Sequence, residues 1–216
     1  MELGFDPKQA LLALRRADRA LAAVIKRAGP FMHRPEKMES PFQALFRAIV
    51  YQQLSGKAAA TILGRVMEHF PTRRGFKPAA VLATPDAAFR AAGMSTAKVQ
   101  AVKDLSAKTL DGTVPSLARL VKMSDEEIIS RLVQVRGIGV WSVEMLLIFR
   151  LGRPDVLPVS DLGVRKGYML TYGLAELPTP KELLAYGECW RPYRSVASWY
   201  MWRAADESQA KVAAAK

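Results

Sequence analysis

The chain has 216 residues, half of them hydrophobic, which is enough for the core of one domain or of two small ones. The 32 Lys and Arg residues outnumber the 20 Asp and Glu residues, which gives a formal net charge of +12. Because the basic residues are spread along the chain, we favour a protein that binds a polyanion such as nucleic acid over a basic protein without such a partner. A single cysteine, Cys189, excludes a disulfide framework and any four-cysteine iron–sulfur or zinc site built from this chain.

The first residues and the apolar segments of the chain indicate where in the cell the protein is expected. Residues 1–8 lack the basic-then-apolar layout of a signal peptide, and no apolar run approaches the roughly 18 residues that cross a membrane. Together with the single cysteine, this predicts a reducing, cytoplasmic setting. His33 and His69 have no metal-ligand partner at a useful spacing, so no metal site built from side chains is predicted.

Capping residues mark where helices begin. Four dipeptides place a capping residue before a proline at the first helical position: Asp6-Pro7, Ser40-Pro41, Thr84-Pro85 and Thr179-Pro180. A further helix over residues 56–70 is predicted to stop at Pro71. Apolar residues recur at helical spacing, and hardly any segment alternates strictly with period two, so the predicted fold class is all-α.

Two helices joined by a glycine turn are predicted over residues 124–150. Ser124-Asp125-Glu126-Glu127 is a capping box, and the helix that it opens must stop near Val135, because Gly137 and Gly139 lack the Cβ atom that restricts backbone angles. A glycine turn that opens a helix points free backbone N–H groups outward, and these can bind a phosphate without any side-chain charge. The alternative is an ordinary helix–helix connection with a glycine cap.

An aspartate in a turn is the candidate for chemistry. Residues 151–159 contain a glycine, two prolines and no helical period, which predicts a connection between two lobes. Ser160 is then the predicted cap of a new helix with Asp161 in its first turn, where the helix dipole favours a charged carboxylate. Such a carboxylate can stabilise the oxocarbenium-like sugar that forms when a glycosidic bond breaks. The alternative is a plain first-turn aspartate.

Tryptophans give this aspartate a context. Trp141 opens the helix after the glycine turn, and Trp190, Trp199 and Trp202 lie near the C-terminus. Indole faces stack on nucleobases and attract a cationic base especially well. The alternative is core packing, which we expect of at least one of Trp190 and Trp199. Glu144, one turn after Trp141, faces either a cleft or solvent, and no role is assigned to it.

Taken together, these motifs resemble the helix-hairpin-helix superfamily of DNA glycosylases, and within it the type II 3-methyladenine DNA glycosylases of alkylation repair. The segments that carry the resemblance are residues 49–59, 93–98, 135–145, 158–167, 190–195 and 199–202. The resemblance implies a two-lobed all-α fold with the active site in the cleft between the lobes. One lobe would be residues 40–152 and contain the hairpin motif at about 124–150. The other would combine residues 1–39 and 153–216 and carry the catalytic aspartate.

The resemblance also assigns roles around the base. Asp161 matches the catalytic aspartate of the family. Trp141 and Trp202 match aromatic walls of the base pocket, which Met145 and Leu162 would also line. Tyrosines stand at these last two places in some relatives, so the ranking of alkylated and deaminated bases as substrates stays open.

Contacts with DNA are implied at two turns and one helix start. Gln53, with Leu54 beside it, matches the wedge that fills the gap left by an extruded nucleotide, and Gly137 and Gly139 match the phosphate-gripping amides. Further DNA-binding positions are Ser55, Lys57, Arg165 and Lys166. Na⁺ or K⁺ would be held at the hairpin by three backbone carbonyls, those of Val133, Val135 and Ile138.

The implied activity is that of a monofunctional enzyme. Relatives that also cut the DNA strand carry a lysine nucleophile where this chain has Trp141, and the missing cysteines exclude the iron–sulfur branch. We therefore expect a monomeric enzyme without a cofactor that flips alkylated purines of the 3-methyladenine and 7-methylguanine type out of damaged double-stranded DNA. It would hydrolyse the N-glycosidic bond and leave an abasic site. The alternatives are a non-catalytic helix-hairpin-helix DNA-binding protein, a glycosylase/lyase and an RNA-binding helical protein.

Overall fold

A computed structural model describes residues 3–70 and 76–214, with side chains as far as residue 208. These residues form helices and no strand, which confirms the predicted all-α class. The predicted helix stop at Pro71 lies outside the described residues. None of the described helices combines the length and the apolar character that a membrane crossing requires.

The chain divides into two compact units, Met38–Val143 and the pair of segments Met1–Lys37 and Glu144–Lys216. The sequence places its boundaries after residues 39 and 152, whereas the second boundary in the structure falls inside a helix. The later part of that helix packs with the N- and C-terminal segments. The Ile148 carbonyl lies 3.1 Å from His33 Nε2, and the Phe149 ring lies 5.5 Å from the ring of Trp202.

In the unit 38–143, the described residues form eight helices that lie wholly or partly within it. They are α3 (Pro41–Tyr51), α4 (Gly56–Glu68), α5 (Pro78–Ala83), α6 (Asp86–Ala91), α7 (Thr96–Leu110), α8 (Leu117–Leu120), α9 (Asp125–Leu132) and α10 (Val140–Phe149), the last of which continues into the other unit. The predicted apolar stripe of α3 is buried, and Phe42 and Phe46 both contact Phe76, with ring centroids 5.4 and 4.9 Å apart. Aromatic packing of this kind forms the centre of the unit.

The other unit contains the remaining helices. They are α1 (Pro7–Ala17), α2 (Arg19–Ala28), α11 (Leu162–Tyr172), α12 (Pro180–Tyr186) with the 3₁₀ turn Gly187–Trp190, and α13 (Arg194–Ala214). Helices α11 and α13 approach each other closely at Gly167, where a Cβ atom would collide with the backbone carbonyl of Met201. The absence of a side chain at Gly167 therefore sets the distance between the two helices that carry Asp161 and Trp202.

Of the four predicted pairs of a capping residue and a proline, three begin helices and one is wrong. Asp6 accepts a hydrogen bond from Lys8 N at 2.8 Å, and Thr179 forms a capping box with Glu182. Ser40 precedes α3 but makes no side-chain cap bond. Thr84 does not begin α6; it is the C-terminal cap of α5, and its hydroxyl donates to the Ala80 carbonyl of that helix.

A buried aspartate joins several elements of the unit formed by residues 1–37 and 144–216. Asp18 is 4% exposed. Its Oδ1 caps α2 by accepting from Leu21 N at 2.9 Å. Its Oδ2 accepts from Trp190 Nε1 at 2.8 Å and from the phenol groups of Tyr172 and Tyr186. Burial, followed by the hydrogen bond to Asp18, raises the pKa of Tyr172. A single carboxylate therefore accepts all of these hydrogen bonds, and the network stabilises the packing of α2 against α11 and α12.

We predict that Asp18→Ala lowers the free energy of unfolding far more than Asp6→Ala does. Both substitutions remove an aspartate cap, which costs about 1 kcal/mol. Only Asp18→Ala also leaves the buried indole N–H of Trp190 unpaired, which costs about 1–3 kcal/mol, and removes the acceptor of two less buried phenol groups. Urea unfolding followed by circular dichroism measures both values. Equal losses in the two variants would contradict a structural role for the buried network.

Candidate active site

The predicted glycine turn lies between α9 and α10. The capping box at its start is confirmed, with Ser124 N donating to Glu127 Oε2 at 2.9 Å and Glu127 N donating to Ser124 Oγ at 3.1 Å. Gly137 has a φ of +78° and therefore requires glycine, whereas Gly139 does not have a positive φ. A Cβ atom at Gly139 would meet no neighbour, so the N-terminal end of α10 is open to an approaching group.

Side chains from α3 and α7 hold this turn in place within the unit 38–143. Gln52 Nε2 donates to the Gly137 carbonyl at 2.9 Å. Asp104 Oδ2 accepts from Arg136 N at 2.7 Å and pairs with Lys108. Burial alone would raise the pKa of Asp104, but the hydrogen bonds from Arg136 and Lys108 outweigh burial and lower it. The turn is therefore fixed by a carboxylate that stays charged.

The predicted wedge is an exposed turn between α3 and α4. Gln53 has a φ of +56° and is the one non-glycine residue with a positive φ in the described ranges. Leu54 beside it is exposed, and so are Ser55 and Lys57. Lys98 Nζ fixes the base of this turn by donating to the carbonyls of Val50 and Gln52 at 2.7 and 2.8 Å; burial lowers the pKa of this ammonium group.

Asp161 caps α11, which corrects the prediction that Ser160 does so. Its backbone N donates to the Pro158 carbonyl in a turn. The first hydrogen bond of the helix is the one that Arg165 N donates to the Asp161 carbonyl. The Asp161 side chain accepts on Oδ1 from Val164 N at 2.8 Å. The carboxylate therefore accepts a hydrogen bond from a free N–H group at the N-terminus of α11, and this bond fixes its orientation.

Trp202 is hydrogen-bonded to this same carboxylate. Its indole Nε1 donates to Asp161 Oδ1 at 2.8 Å. Gly163 makes the approach possible, because a Cβ atom there would lie 2.7 Å from Trp202 Cδ1. The other face of the arrangement is apolar, since Phe149 of α10 packs against the Trp202 ring. The structure thus brings together the predicted catalytic group and one predicted wall of the base pocket.

The other predicted pocket residues have different surroundings. Leu162, next to Asp161, is 63% exposed, and Met145 on α10 is half-buried. Trp141, in the first turn of α10, is 45% exposed. Trp190 is fully buried, and Trp199 packs edge-on against Phe31 at 5.2 Å, so the expected core role is confirmed.

Two predicted DNA-binding residues lie on α11. Arg165 Nε donates to the Pro178 carbonyl at 2.8 Å, so part of this guanidinium group anchors the segment before α12. Lys166 is half-buried. Their contacts with DNA stay predictions.

Glu144 is a buried acid to which the sequence assigned no role. It is 8% exposed, and its Oε2 makes no hydrogen bond with any part of the chain that the structure describes. Burial, and secondly the charge of Asp161, raise the pKa of Glu144 to about 7. The sequence signal that could have drawn attention to Glu144 is a lone carboxylate inside the apolar run Val143–Ile148.

No group of three or more His, Cys, Asp or Glu side chains in the described residues could hold a metal ion.

Comparisons of the sequence and of the structure with known proteins indicate the same family. Residues 46–192 match the sequence model of the family described as "HhH-GPD superfamily base excision DNA repair protein". DNA-3-methyladenine glycosylase 1 of Schizosaccharomyces pombe is 37% identical over 176 residues, which cover 79% of this chain and 75% of that protein. The solved structure of the 3-methyladenine DNA glycosylase Mag1 from the same organism, in complex with abasic DNA, has a TM-score of 0.77 at 34% identity and covers 90% of this chain and 95% of that one.

A bacterial structure is equally similar. The DNA-3-methyladenine glycosidase of Bacillus halodurans has a TM-score of 0.81 at 32% identity, covering 95% of this chain and 91% of that one. The similarity therefore extends over nearly the whole chain, in a fungal and in a bacterial relative.

We predict that Glu144→Gln changes how stability depends on pH. Between the ordinary pKa of 4.5 and about 7, folded Glu144 keeps a proton that the unfolded chain has lost. The free energy of unfolding therefore falls as the pH rises through this window, and the loss persists above it. Because glutamine does not ionise, the variant should gain up to about 3 kcal/mol over the original protein between about pH 4 and about pH 8.

Urea unfolding at both pH values tests this, with Glu176→Gln as the control, because Glu176 is an exposed glutamate. The control should track the original protein at both pH values. A pH-independent difference for Glu144→Gln would show that folding does not change the protonation of Glu144.

Proposed function

Because the chain belongs to the HhH-GPD superfamily of base excision DNA repair proteins, we propose that it is a monofunctional DNA glycosylase for alkylated purines of the 3-methyladenine and 7-methylguanine type. It acts on damaged double-stranded DNA and leaves an abasic site. The observation that carries the proposal is the Asp161 carboxylate, fixed at the N-terminus of α11 by Val164 N and by the Trp202 indole. The names of the relatives support the class of base.

Binding to DNA is proposed to rest on phosphate contacts without sequence readout. The turn at Gly137 and Gly139 presents backbone N–H groups at the start of α10. Ser55, Lys57, Arg165 and Lys166 add polar and cationic contacts, in keeping with the formal net charge of +12. Affinity should therefore fall steeply as the salt concentration rises.

Extrusion of the damaged nucleotide is proposed to use the turn between α3 and α4. Gln53 and Leu54 are exposed at its tip, where they can fill the gap in the base stack. The flipped base then meets the aromatic faces of Trp141 and Trp202, with Met145 and Leu162 completing the pocket. Indole faces favour a base that alkylation has made cationic.

Bond cleavage is proposed to depend on the fixed charge of Asp161. Alkylation at a ring nitrogen gives the base a positive charge, so it departs as a neutral molecule once the bond between the sugar and the base breaks. The electron pair of that bond goes to the base, and the sugar becomes oxocarbenium-like. A carboxylate already oriented by two N–H donors stabilises this cation without reorganising, and water completes the hydrolysis.

A monovalent cation at the hairpin is proposed as a structural addition. The carbonyls at the end of α9 lack partners within the helix, and Val135 and Ile138 follow in the same turn. The Val135 carbonyl accepts from Ile138 N at 3.0 Å and keeps a second lone pair. These oxygens, with that of Val133, are the neutral donors that Na⁺ or K⁺ prefers. We further propose that the enzyme has no iron–sulfur cluster, acts as a monomer and works in the compartment that contains the DNA.

We predict that Asp161→Asn keeps DNA binding and lowers release of 7-methylguanine by about 100-fold or more. Asparagine caps helices as well as aspartate does, so α11 should stay intact while the charge is lost. Base release under single-turnover conditions and binding to the same methylated duplex are the two measurements. Asp86→Asn, an exposed first-turn aspartate of α6, is the control.

Near-normal release by Asp161→Asn would remove Asp161 from the proposed role. If the original protein binds this duplex but releases no base, the alternative of a non-catalytic DNA-binding protein is supported.

We also predict that the protein forms no covalent adduct with DNA when borohydride is present during turnover. A strand-cutting glycosylase forms a Schiff base through an amine nucleophile, and the indole of Trp141 cannot form one. Strand breaks should appear only after alkali treatment of the product. A trapped adduct, resolved by gel electrophoresis, would contradict the monofunctional class.

A further inference from the structure

Glu144 is the buried titratable group for which the proposed mechanism has no use. Its neighbours on α10, Val143 and Leu146, are buried and apolar. Its Oε2 has no hydrogen-bond partner in the described residues, although a charged carboxylate in such surroundings would be costly. A neutral carboxylic acid, which carries one O–H donor, is the form that this environment favours.

Glu144 and Asp161 belong to the same compact unit. Burial, and after it the negative charge of Asp161, raises the pKa of Glu144. Phe149, further along α10, packs against Trp202, whose indole binds Asp161. The C-terminal end of α10 therefore contacts Trp202, the partner of Asp161. Glu144 also follows Trp141 by three residues, which places both on one side of the helix.

The two carboxyl groups differ in a way that separates their roles. Oδ1 of Asp161 accepts two N–H groups, which is the environment of a charged carboxylate. Oε2 of Glu144 accepts none. Pairs of carboxyl groups in such unequal environments commonly divide into one acid and one carboxylate.

Resting on the proposed glycosylase function, we propose that Glu144 is a general acid that protonates uncharged damaged purines as they leave. Among the alkylated and deaminated bases that the sequence leaves open as substrates, release of uncharged ones such as hypoxanthine would depend on Glu144. A neutral purine would otherwise depart as an anion, which is a poor leaving group. A cationic base needs no such proton, so the two classes of substrate make different demands on Glu144.

The step is balanced within the site. The O–H bond of Glu144 breaks, and its proton goes to a ring nitrogen of the flipped base. The glycosidic bond breaks, its electron pair stays with the base, and the base leaves neutral. Water adds to the sugar cation opposite Asp161 and loses a proton, which returns to the Glu144 carboxylate and restores the acid.

Single-turnover release from two duplexes tests the proposal, one containing hypoxanthine and the other 7-methylguanine. Glutamine at position 144 keeps the size of the side chain but cannot transfer a proton. Glu144→Gln should lower hypoxanthine release by about 100-fold or more and change 7-methylguanine release by less than about threefold. Glu144→Asp, which keeps an acid on a shorter side chain, should recover part of the loss, and Glu176→Gln should change neither rate.

Each other outcome overturns the proposal. Equal losses on both duplexes would make Glu144 a structural or positioning residue, and unchanged hypoxanthine release would leave it without a role in proton transfer. If the original protein releases 7-methylguanine and no uncharged purine, the general acid is refuted while the glycosylase stands. Release of neither base would refute the proposed function as well.

Discussion

The hydrogen bond between the indole of Trp202 and Oδ1 of Asp161 joins the end of one helix to the side of another. It requires that α11 and α13 approach more closely than ordinary side chains permit. Gly163 leaves space for the indole and Gly167 leaves space for the Met201 carbonyl, so two glycines on α11 serve one contact. Because the same oxygen also caps α11, a change in the packing of either helix would turn the carboxylate away from its present direction.

In the unit 38–143, side chains hold backbone groups in place. Helix α7 supports both exposed turns: Lys98 holds the carbonyls at the end of α3, and Asp104 holds the amide of Arg136 before Gly137. Gln52 then links the two turns through the Gly137 carbonyl. The two turns expected to contact DNA are therefore held in place by Lys98, Asp104 and Gln52. A rigid support of this kind keeps two separate contacts in register.

Local patterns in the sequence were sufficient for the helical class, for most caps and for the place of Asp161 at the start of a helix, because capping and helical spacing involve residues close in the chain. Ser160 was mistaken for the cap because the turn that delays the helix depends on the Pro158 carbonyl. The supporting role of Lys98 could not be predicted, since its partners lie some fifty residues away in sequence. The state of Glu144 depends on burial and on Asp161, which only the folded chain brings near.

The backbone of Gln53 has an energetic consequence. A φ of +56° costs a non-glycine residue about 1 kcal/mol. A glycine would adopt this angle without that cost, so the turn between α3 and α4 gives up stability to keep a long polar side chain at its exposed tip.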